Sequence, residues 1–330
     1  MSTYGSLAPY IPWRERALPE AERYRFMIDW DKEFGRQAPI KVELGFGNGD
    51  FLVRCAKEDP ESNYLGIEMT WGSVWRALRS AHQGKLGNLR VLLEDARTAL
   101  LWTFQERSVH NFTGLFPCPW PKTKHAKNRL FSPAFVRLCG SRLVDGGTLV
   151  VVTDAPDYRD QMLREITVPQ TGMTTALETI PASFGTKYER KWQAGGQQEF
   201  YRLTFSKVKH PSLSPFQPEI SAVKHHIAST FDPKTFAPQS EKEPYSVVFR
   251  AFLYDPEKEI AMQEVVTYED SLDQHFWIRV KKLERGWQVS PAAGGIVIPL
   301  PSVQRALDLV HQAAEGHVRR TATAQPTAEG

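Results

Sequence analysis

Two segments of this 330-residue chain combine residue types that support chemistry on a nucleic acid. The first, from Glu43 to Asp50, reads E-L-G-F-G-N-G-D and is a glycine-rich loop able to hold a nucleotide-like cofactor. The second, from Leu115 to Arg129, joins an apolar strand end to a proline-braced turn, P-C-P-W-P, and then to a cluster of cations. Beside such a turn we expect phosphate contacts from four of these cations, namely Lys124, His125, Lys127 and Arg129.

The spacing of the glycines indicates which cofactor the loop holds. Gly45, Gly47 and Gly49 follow a predicted strand and precede a predicted helix, so their backbone N–H groups face whatever lies above the sheet. The dinucleotide fingerprint G-x-G-x-x-G needs its third glycine where this chain has Asp50. The pattern G-x-G-x-G with the leading acid Glu43 favours S-adenosylmethionine, which carries an amino acid moiety in place of a pyrophosphate.

Two further acids stand at the ends of neighbouring predicted strands. Glu68 ends the strand that follows the loop, where a carboxylate accepts the ribose hydroxyls in nucleotide-binding α/β folds. Asp95 follows the next strand, within reach of an adenine amino group. Either acid could instead be a helix N-cap. The glycine loop, Glu68 and Asp95 all stand at the carboxyl ends of predicted strands, and together they strengthen the prediction of a cofactor site.

The elements that must position these residues form a regular series. Short apolar runs alternate with amphipathic stretches between about residues 40 and 205, which predicts βαβ units and a doubly wound sheet of the α/β class. The predicted strands are 40–44, 64–67, 89–93, 112–116, 148–152 and 200–205, and the predicted helices are 50–58, 71–83, 132–143 and 156–165.

The composition and the pattern of apolar residues change after this series. Three prolines between residues 210 and 219 predict a linker, and β-rich alternation over 245–254, 260–268 and 275–289 with a helix over 302–313 predicts a small α+β domain. The expected organisation is an N-terminal arm (1–27), a catalytic domain (28–205), a Pro-rich linker (206–244), the small α+β domain (245–315) and a disordered tail (316–330).

Composition narrows the class of protein. The net charge is +3 and the excess of cations lies in residues 1–205, so attraction to phosphates belongs to the first part of the chain. Three cysteines without a C-x-x-C pair argue against a disulfide framework or a zinc ribbon, and we expect no metal. No signal peptide or membrane span is apparent, which predicts a cytoplasmic protein, either a monomer or a homodimer.

These motifs make the chain similar to the bacterial tRNA (guanine-N7)-methyltransferases over about residues 28–205. The shared motifs are D-W-D-K-E-F-G, the glycine loop, F-P-x-P-W-P-K-x-x-H-x-K-x-R, V-T-D-A-P-D-Y and T-K-Y-E-R. The resemblance implies a Rossmann-like class I S-adenosylmethionine-dependent methyltransferase sheet, an additional C-terminal domain, and methylation of a variable-loop guanine of tRNA. It implies cofactor contacts from Glu43, Gly45, Glu68 and Asp95, and target-side roles for Lys122, Asp154, Thr186 and Glu189.

One residue departs from the family pattern. Cys118 stands where the family has an aspartate thought to act in catalysis. Guanine N7 has a lone pair and no proton, so its methylation needs no general base, and positioning should dominate the rate. Two alternatives stay open. One is a methyltransferase for an exocyclic amine, because C-P-W distantly resembles a D/N-P-P-Y/W turn, and the other is a tRNA-binding protein that keeps the fold with little catalysis.

Overall fold

The computed structural model describes residues 9–15 and 27–316, which fall into two compact units, Met1–Phe216 (unit 1) and Gln217–Gly330 (unit 2). Among these residues no helix has the length and apolar content needed to cross a bilayer. Most of the expected N-terminal arm and of the expected tail lies outside the described residues. Within the described part of the arm, the backbone N–H of Ile11 donates to the carbonyl of Val91.

Unit 1 is a sheet of seven strands with helices between them. The strands are β1 Ile40–Leu44, β2 Asn63–Glu68, β3 Leu89–Leu93, β4 Val109–Leu115, β5 Leu143–Thr153, β6 Met173–Pro181 and β7 Glu199–Lys207. The helices are α1 Trp30–Phe34, α2 Asp50–Glu58, α3 Trp71–Gln83, α4 Ala96–Thr103, α5 Pro133–Arg142, α6 Pro156–Glu165, α7 Val168–Thr171 and α8 Lys187–Ala194.

The strand order is β3-β2-β1-β4-β5-β7-β6. The first five strands are parallel, and β7 pairs antiparallel with both β5 and β6. Burial on both faces accounts for the apolar run Y-L-G-I in β2, whereas β1 reads I-K-V-E-L and alternates apolar residues with Lys41 and Glu43. The expected doubly wound α/β sheet is therefore confirmed.

Helices α2 and α3 show how the pattern of apolar residues sets the packing. On α3, Val74, Ala77, Leu78 and Ala81 recur at helical spacing and are all buried. The bounds of α2, α3 and α6 agree with the sequence prediction. Helix α4 was not predicted because six of its eight residues are buried, so it lacks the polar face by which an amphipathic helix is recognised.

The strand order creates a switch point between β1 and β4. The chain leaves β1 through α2 toward β2 on one side, and the later strands are added on the other side of β1. Ligands of open α/β sheets bind in the crevice that such a reversal leaves at the carboxyl ends of the strands. Here those ends lead into the glycine loop after Leu44 and into the P-C-P-W turn after Leu115.

Unit 2 is a five-stranded antiparallel sheet with one helix packed against it. Its strands are β8 His226–Ala228, β9 Ser246–Asp255, β10 Ile260–Glu269, β11 Leu272–Leu283 and β12 Gly286–Pro291, in the order β8-β12-β11-β10-β9, and its helix is α9 Pro301–Ala314. Strand β8 lies within residues 206–244, which the sequence presented as linker, and it pairs with β12. The expected small α+β domain is confirmed.

Candidate active site

The glycine loop leaves its backbone open above the sheet. Gly45, Gly47 and Gly49 have φ values of +70°, +58° and +81°, in the left-handed region that side chains rarely adopt. A Cβ at Gly49 would lie 2.8 Å from the Cβ of Ala77, because α2 and α3 meet there. A Cβ at Gly45 or Gly47 would meet no atom within 4 Å. The first two glycines thus expose backbone to a ligand, and the third permits helix packing.

A buried carboxylate lies beneath this loop. Glu43 is only 5% exposed, and its Oε2 atom has no hydrogen-bond partner among the described residues. Burial raises the pKa of the Glu43 carboxyl well above its ordinary value, and the negative charges of Asp50 and Glu68 raise it further. A buried carboxylate oxygen without a hydrogen-bond partner is stabilised by a cationic donor. Its position suits the ammonium group of an amino acid.

Glu68 and Asp95 are both engaged with backbone N–H groups. Glu68 Oε2 accepts a hydrogen bond from the N–H of Gly47 at 3.1 Å, and its Oε1 accepts from the N–H of Thr70 at 3.1 Å. Glu68 therefore ties the glycine loop to the end of β2. Asp95 Oδ1 accepts from the N–H of Arg97 at 2.8 Å, so this side chain is the N-cap of α4.

The P-C-P-W turn is held in an unusual backbone conformation. Phe116 and Trp120 have φ values of +51° and +43°, which few residues other than glycine adopt. The N–H of Phe116 donates to the carbonyl of Val152 at 2.8 Å, which anchors the start of the turn to β5. Cys118 is exposed at its centre. The Trp120 ring lies 6.0 Å from the ring of His125.

Arg129 holds the other side of the turn. Its side chain is buried, its Nε donates to the carbonyl of Pro119 at 2.7 Å, and its guanidinium lies 5.0 Å from the centre of the Tyr158 ring. A further hydrogen bond joins it to Gln161. These contacts use the cation inside the protein, so its placement does not support the phosphate contact expected from the sequence. This inward placement could not be predicted, because a buried Arg and a surface Arg look alike in a basic run of sequence.

The remaining cations of this segment are placed as a surface group. Thr123–Asn128 forms a 3-10 helix that follows the turn directly. Lys122, Lys124 and Lys127 are exposed and His125 is half-buried. Within the described part of the chain, none of these four side chains forms an ion pair. They are available to a polyanion beside the turn.

Thr186 is the N-cap of α8, and Glu189 lies in the first turn of that helix. Thr186 Oγ1 accepts from the N–H of Glu189 at 3.1 Å. The buried Glu189 carboxylate accepts in turn from the N–H groups of three preceding residues, Ser183, Phe184 and Gly185. Glu189 thus organises the backbone of 183–185, the segment we name the clasp loop.

The clasp loop and α8 close one side of the cofactor cleft. Arg190 of α8 forms an ion pair with Asp50 at 3.0 Å, and the rings of Phe184 and Phe51 lie 5.6 Å apart. These contacts join α8 and the clasp loop to α2, and no local sequence pattern predicted either pairing. The cleft between them is lined by Glu43, Gly45, Phe46, Gly47, Asn48, Asp50, Ser73, Arg76, Leu115, Thr186, Lys187 and Tyr188.

Asp154 lies at the carboxyl end of β5, next in the sheet to the strand that leads into the turn. The residue is half-buried. Burial raises the pKa of its carboxyl group, and the positive charge of Lys191 opposes this effect. This carboxylate can serve as an acceptor at the edge of the crevice.

Comparison with known proteins agrees with this geometry. Residues 37–202 match a family model described as "Putative methyltransferase". A tRNA (guanine-N(7)-)-methyltransferase of Chlorobium phaeobacteroides is 38% identical over 171 residues, which are 52% of this chain and 83% of that protein. The chain belongs to the tRNA (guanine-N7)-methyltransferase family. The expected resemblance is confirmed, and with it S-adenosylmethionine as the cofactor.

Members of this family differ in length. The tRNA (guanine-N(7)-)-methyltransferase of Coprothermobacter proteolyticus is 28% identical over 319 residues, covering 92% of this chain and 95% of that protein, so the alignment extends into unit 2.

Among solved structures, a 16S rRNA methyltransferase, KamB, aligns with a TM-score of 0.42 and 15% identity over 55% of this chain and 94% of that one.

The unpaired carboxylate of Glu43 leads to a prediction about stability and binding. The raised pKa means that the folded chain holds this proton more tightly than the unfolded chain. That stabilisation is complete below the ordinary value of 4.5 and is lost as the pH rises through the raised pKa. Glu43→Gln should therefore unfold with a free energy roughly 1 kcal/mol higher at neutral pH, and the gain should shrink toward pH 4. Urea denaturation at neutral pH and toward pH 4 measures this difference in the free energy of unfolding.

The same variant should bind the cofactor less well. Loss of a charge-assisted hydrogen bond to the ammonium group should weaken binding of S-adenosylhomocysteine about 10-fold to 100-fold in calorimetry. Glu58→Gln, at the exposed end of α2, is the matched control and should change neither the free energy of unfolding nor the affinity for S-adenosylhomocysteine. Unchanged affinity in Glu43→Gln would show that this carboxylate does not hold the ammonium group.

Proposed function

We propose that this protein transfers a methyl group from S-adenosylmethionine to N7 of a guanine in tRNA, the variable-loop guanine by resemblance to its family. The observation that carries the proposal is the switch point of the sheet. There the open glycine loop and the unpaired Glu43 carboxylate lie at the same sheet edge as the P-C-P-W turn and its exposed cations. The cytoplasm as the site of this reaction stays a prediction.

The residues around the glycine loop fit the cofactor. When bound, S-adenosylmethionine supplies a methyl group on a positively charged sulfur. In our proposal Glu43 accepts from its ammonium group, and the open backbone at Gly45 and Gly47 allows its close approach. Glu68 and Asp95 keep the roles of ribose and adenine contacts through lone pairs not used by the backbone. Gly49 contributes through packing.

The reaction needs no proton transfer before the bond forms. Guanine N7 offers a lone pair, the methyl carbon exchanges its bond to sulfur for a bond to N7, and the positive charge moves to the purine. The protein therefore contributes alignment and electrostatic stabilisation. The exposed Cys118 thiol lies in the turn where the family has a carboxylate, and this substitution leaves the turn without one negative charge.

Recognition of guanine requires acceptors for its Watson–Crick edge, which presents N–H donors. Asp154 is half-buried, and no other residue of the described chain donates a hydrogen bond to its carboxylate, which makes it the acceptor we propose. Glu189 already accepts from three backbone N–H groups. We therefore assign Glu189 and Thr186 to shaping the wall of the cleft on the target side.

The exposed cations after the turn provide the contacts to the tRNA backbone. We assign phosphate contacts to Lys124, His125 and Lys127, with Lys122 between them and the turn. Arg129, which is buried beneath the turn, positions these residues through Pro119 and leaves phosphate binding to its neighbours.

Transfer of a radiolabelled methyl group to unmodified tRNA, followed by nucleoside analysis, tests the proposal. We expect 7-methylguanosine as the labelled product. A methylated exocyclic amine would assign the protein to the amine methyltransferases instead. Binding of tRNA without transfer would identify a binding protein that has kept the fold.

The turn leads to a prediction about Cys118. Cys118→Asp restores the carboxylate of the family pattern, so kcat should stay equal or rise by up to roughly 100-fold, the range associated with one electrostatic stabiliser. Cys118→Ala is the control and should keep the activity of the unmodified protein, because no proton has to be removed from N7. A hundredfold loss in both variants would assign the thiol a role of its own.

The cation group leads to a prediction about salt dependence. Lys124→Ala combined with Lys127→Ala should weaken tRNA binding and lower the slope of log affinity against log salt by about 2, one for each lost phosphate contact. Lys32→Ala with Lys57→Ala is the matched control, since both side chains are exposed on α1 and at the far end of α2. An unchanged slope in the first variant would remove these lysines from the interface.

A further inference from the structure

Helix α3 presents a solvent-facing surface with an unusual composition. Trp71 and Trp75, one turn apart, are 47% and 40% exposed, and Met69 just before the helix is 68% exposed. Arg79 continues the same face one turn further, at the i, i+4 spacing that places side chains in line. We name Trp71, Trp75 and Arg79 the α3 stripe.

The α3 stripe is not explained by packing within the protein. The opposite face of α3, with Val74, Ala77, Leu78 and Ala81, already supplies the contacts to the core. Among the described residues, the one ring contact of Trp71 is with the edge of the Tyr10 ring, at 5.3 Å between ring centres. Within the described part of the chain, Trp75 and Arg79 have no hydrogen bond, ion pair or ring contact. Both tryptophans therefore keep a large part of their surface exposed to solvent.

The charge of the helix indicates the kind of partner. Helix α3 contains Arg76, Arg79 and His82 but no aspartate or glutamate. Its N-terminus, at Trp71, adds the positive end of the helix dipole. An exposed aromatic surface with cations and without acids matches a polyanion that also offers flat rings, which is the chemistry of unstacked RNA.

The α3 stripe also adjoins the cofactor cleft. Ser73 and Arg76 of the same helix line the cleft together with Glu43, Gly45 and Gly47. From Trp71 to Arg79 the helix rises about 12 Å, so the stripe covers a distance of a few nucleotides along a helix that also lines the cleft. An RNA strand that delivers its base to the cleft can continue across this helix.

We infer that the α3 stripe is a second RNA-docking surface, which holds unpaired nucleotides of the tRNA next to the target guanine. Trp71 and Trp75 stack on bases, and Arg79 contacts a phosphate. This inference rests on the proposed function, because it needs tRNA as the substrate. It concerns residues of α3, which are separate in the chain from the clasp loop and from the lysines after the P-C-P-W turn.

The test compares two stripe variants with two controls on α6. Trp75→Ala should weaken tRNA binding about 10-fold with the salt slope unchanged, because stacking does not release counterions. Arg79→Ala should lower the salt slope by about 1. Leu163→Ala and Arg164→Ala, at the exposed end of α6, should have neither effect. Affinity for S-adenosylhomocysteine should stay the same in all four, which shows that the cofactor site is intact.

The outcomes separate this inference from the proposed function. If the unmodified protein methylates tRNA and both stripe variants bind tRNA as it does, the α3 stripe is not an RNA surface and the proposed function stands. If the stripe variants lose affinity no more than the α6 controls, the inference is likewise overturned. If the unmodified protein neither binds nor methylates tRNA, the proposed function fails first, and the docking surface fails with it.

Discussion

The structure of the site depends on one electrostatic constraint, the burial of the Glu43 carboxylate without a hydrogen-bond donor at its Oε2. A buried carboxylate oxygen without a hydrogen-bond donor is costly, and the nearby charge of Arg54 offsets only part of this cost. Asp50 and Glu68 add like charge nearby and make the pocket still more favourable to a cation. The glycines above Glu43 keep that pocket accessible, and the switch point of the sheet places it at the same sheet edge as the P-C-P-W turn.

Charged residues at this site divide into those that shape the backbone and those that meet a ligand. Arg129 and Glu189 are both nearly inaccessible and saturate backbone groups of the P-C-P-W turn and the clasp loop. Their charged groups are engaged in hydrogen bonds within the protein, so their removal would change the shape of the cleft before it changed any ligand contact. Among the described residues, Asp154 and the exposed lysines after the turn have no such partners, so these side chains are left open to a ligand.

Much of the fold followed from the sequence because the buried parallel strands and the amphipathic helices α2, α3 and α6 carry clear periodicity. The glycine loop, Glu43 and the P-C-P-W turn were located by motif, since each depends on local spacing. The pairing of Arg190 with Asp50 joins residues 140 positions apart and leaves no local pattern. The burial of the Arg129 side chain was also missed. Whether an Arg side chain is buried or exposed depends on tertiary packing and leaves no local pattern either.

The described residues that line the candidate site all belong to unit 1, since each of them precedes Phe216. The relative from Chlorobium phaeobacteroides aligns over 171 residues that make up 83% of its length, so that protein is shorter than unit 1 alone. A chain of that length cannot hold counterparts of both units, whereas the alignment with the Coprothermobacter proteolyticus relative covers 92% of this chain and therefore includes unit 2. Unit 2 is thus shared with some members of the family and not with others.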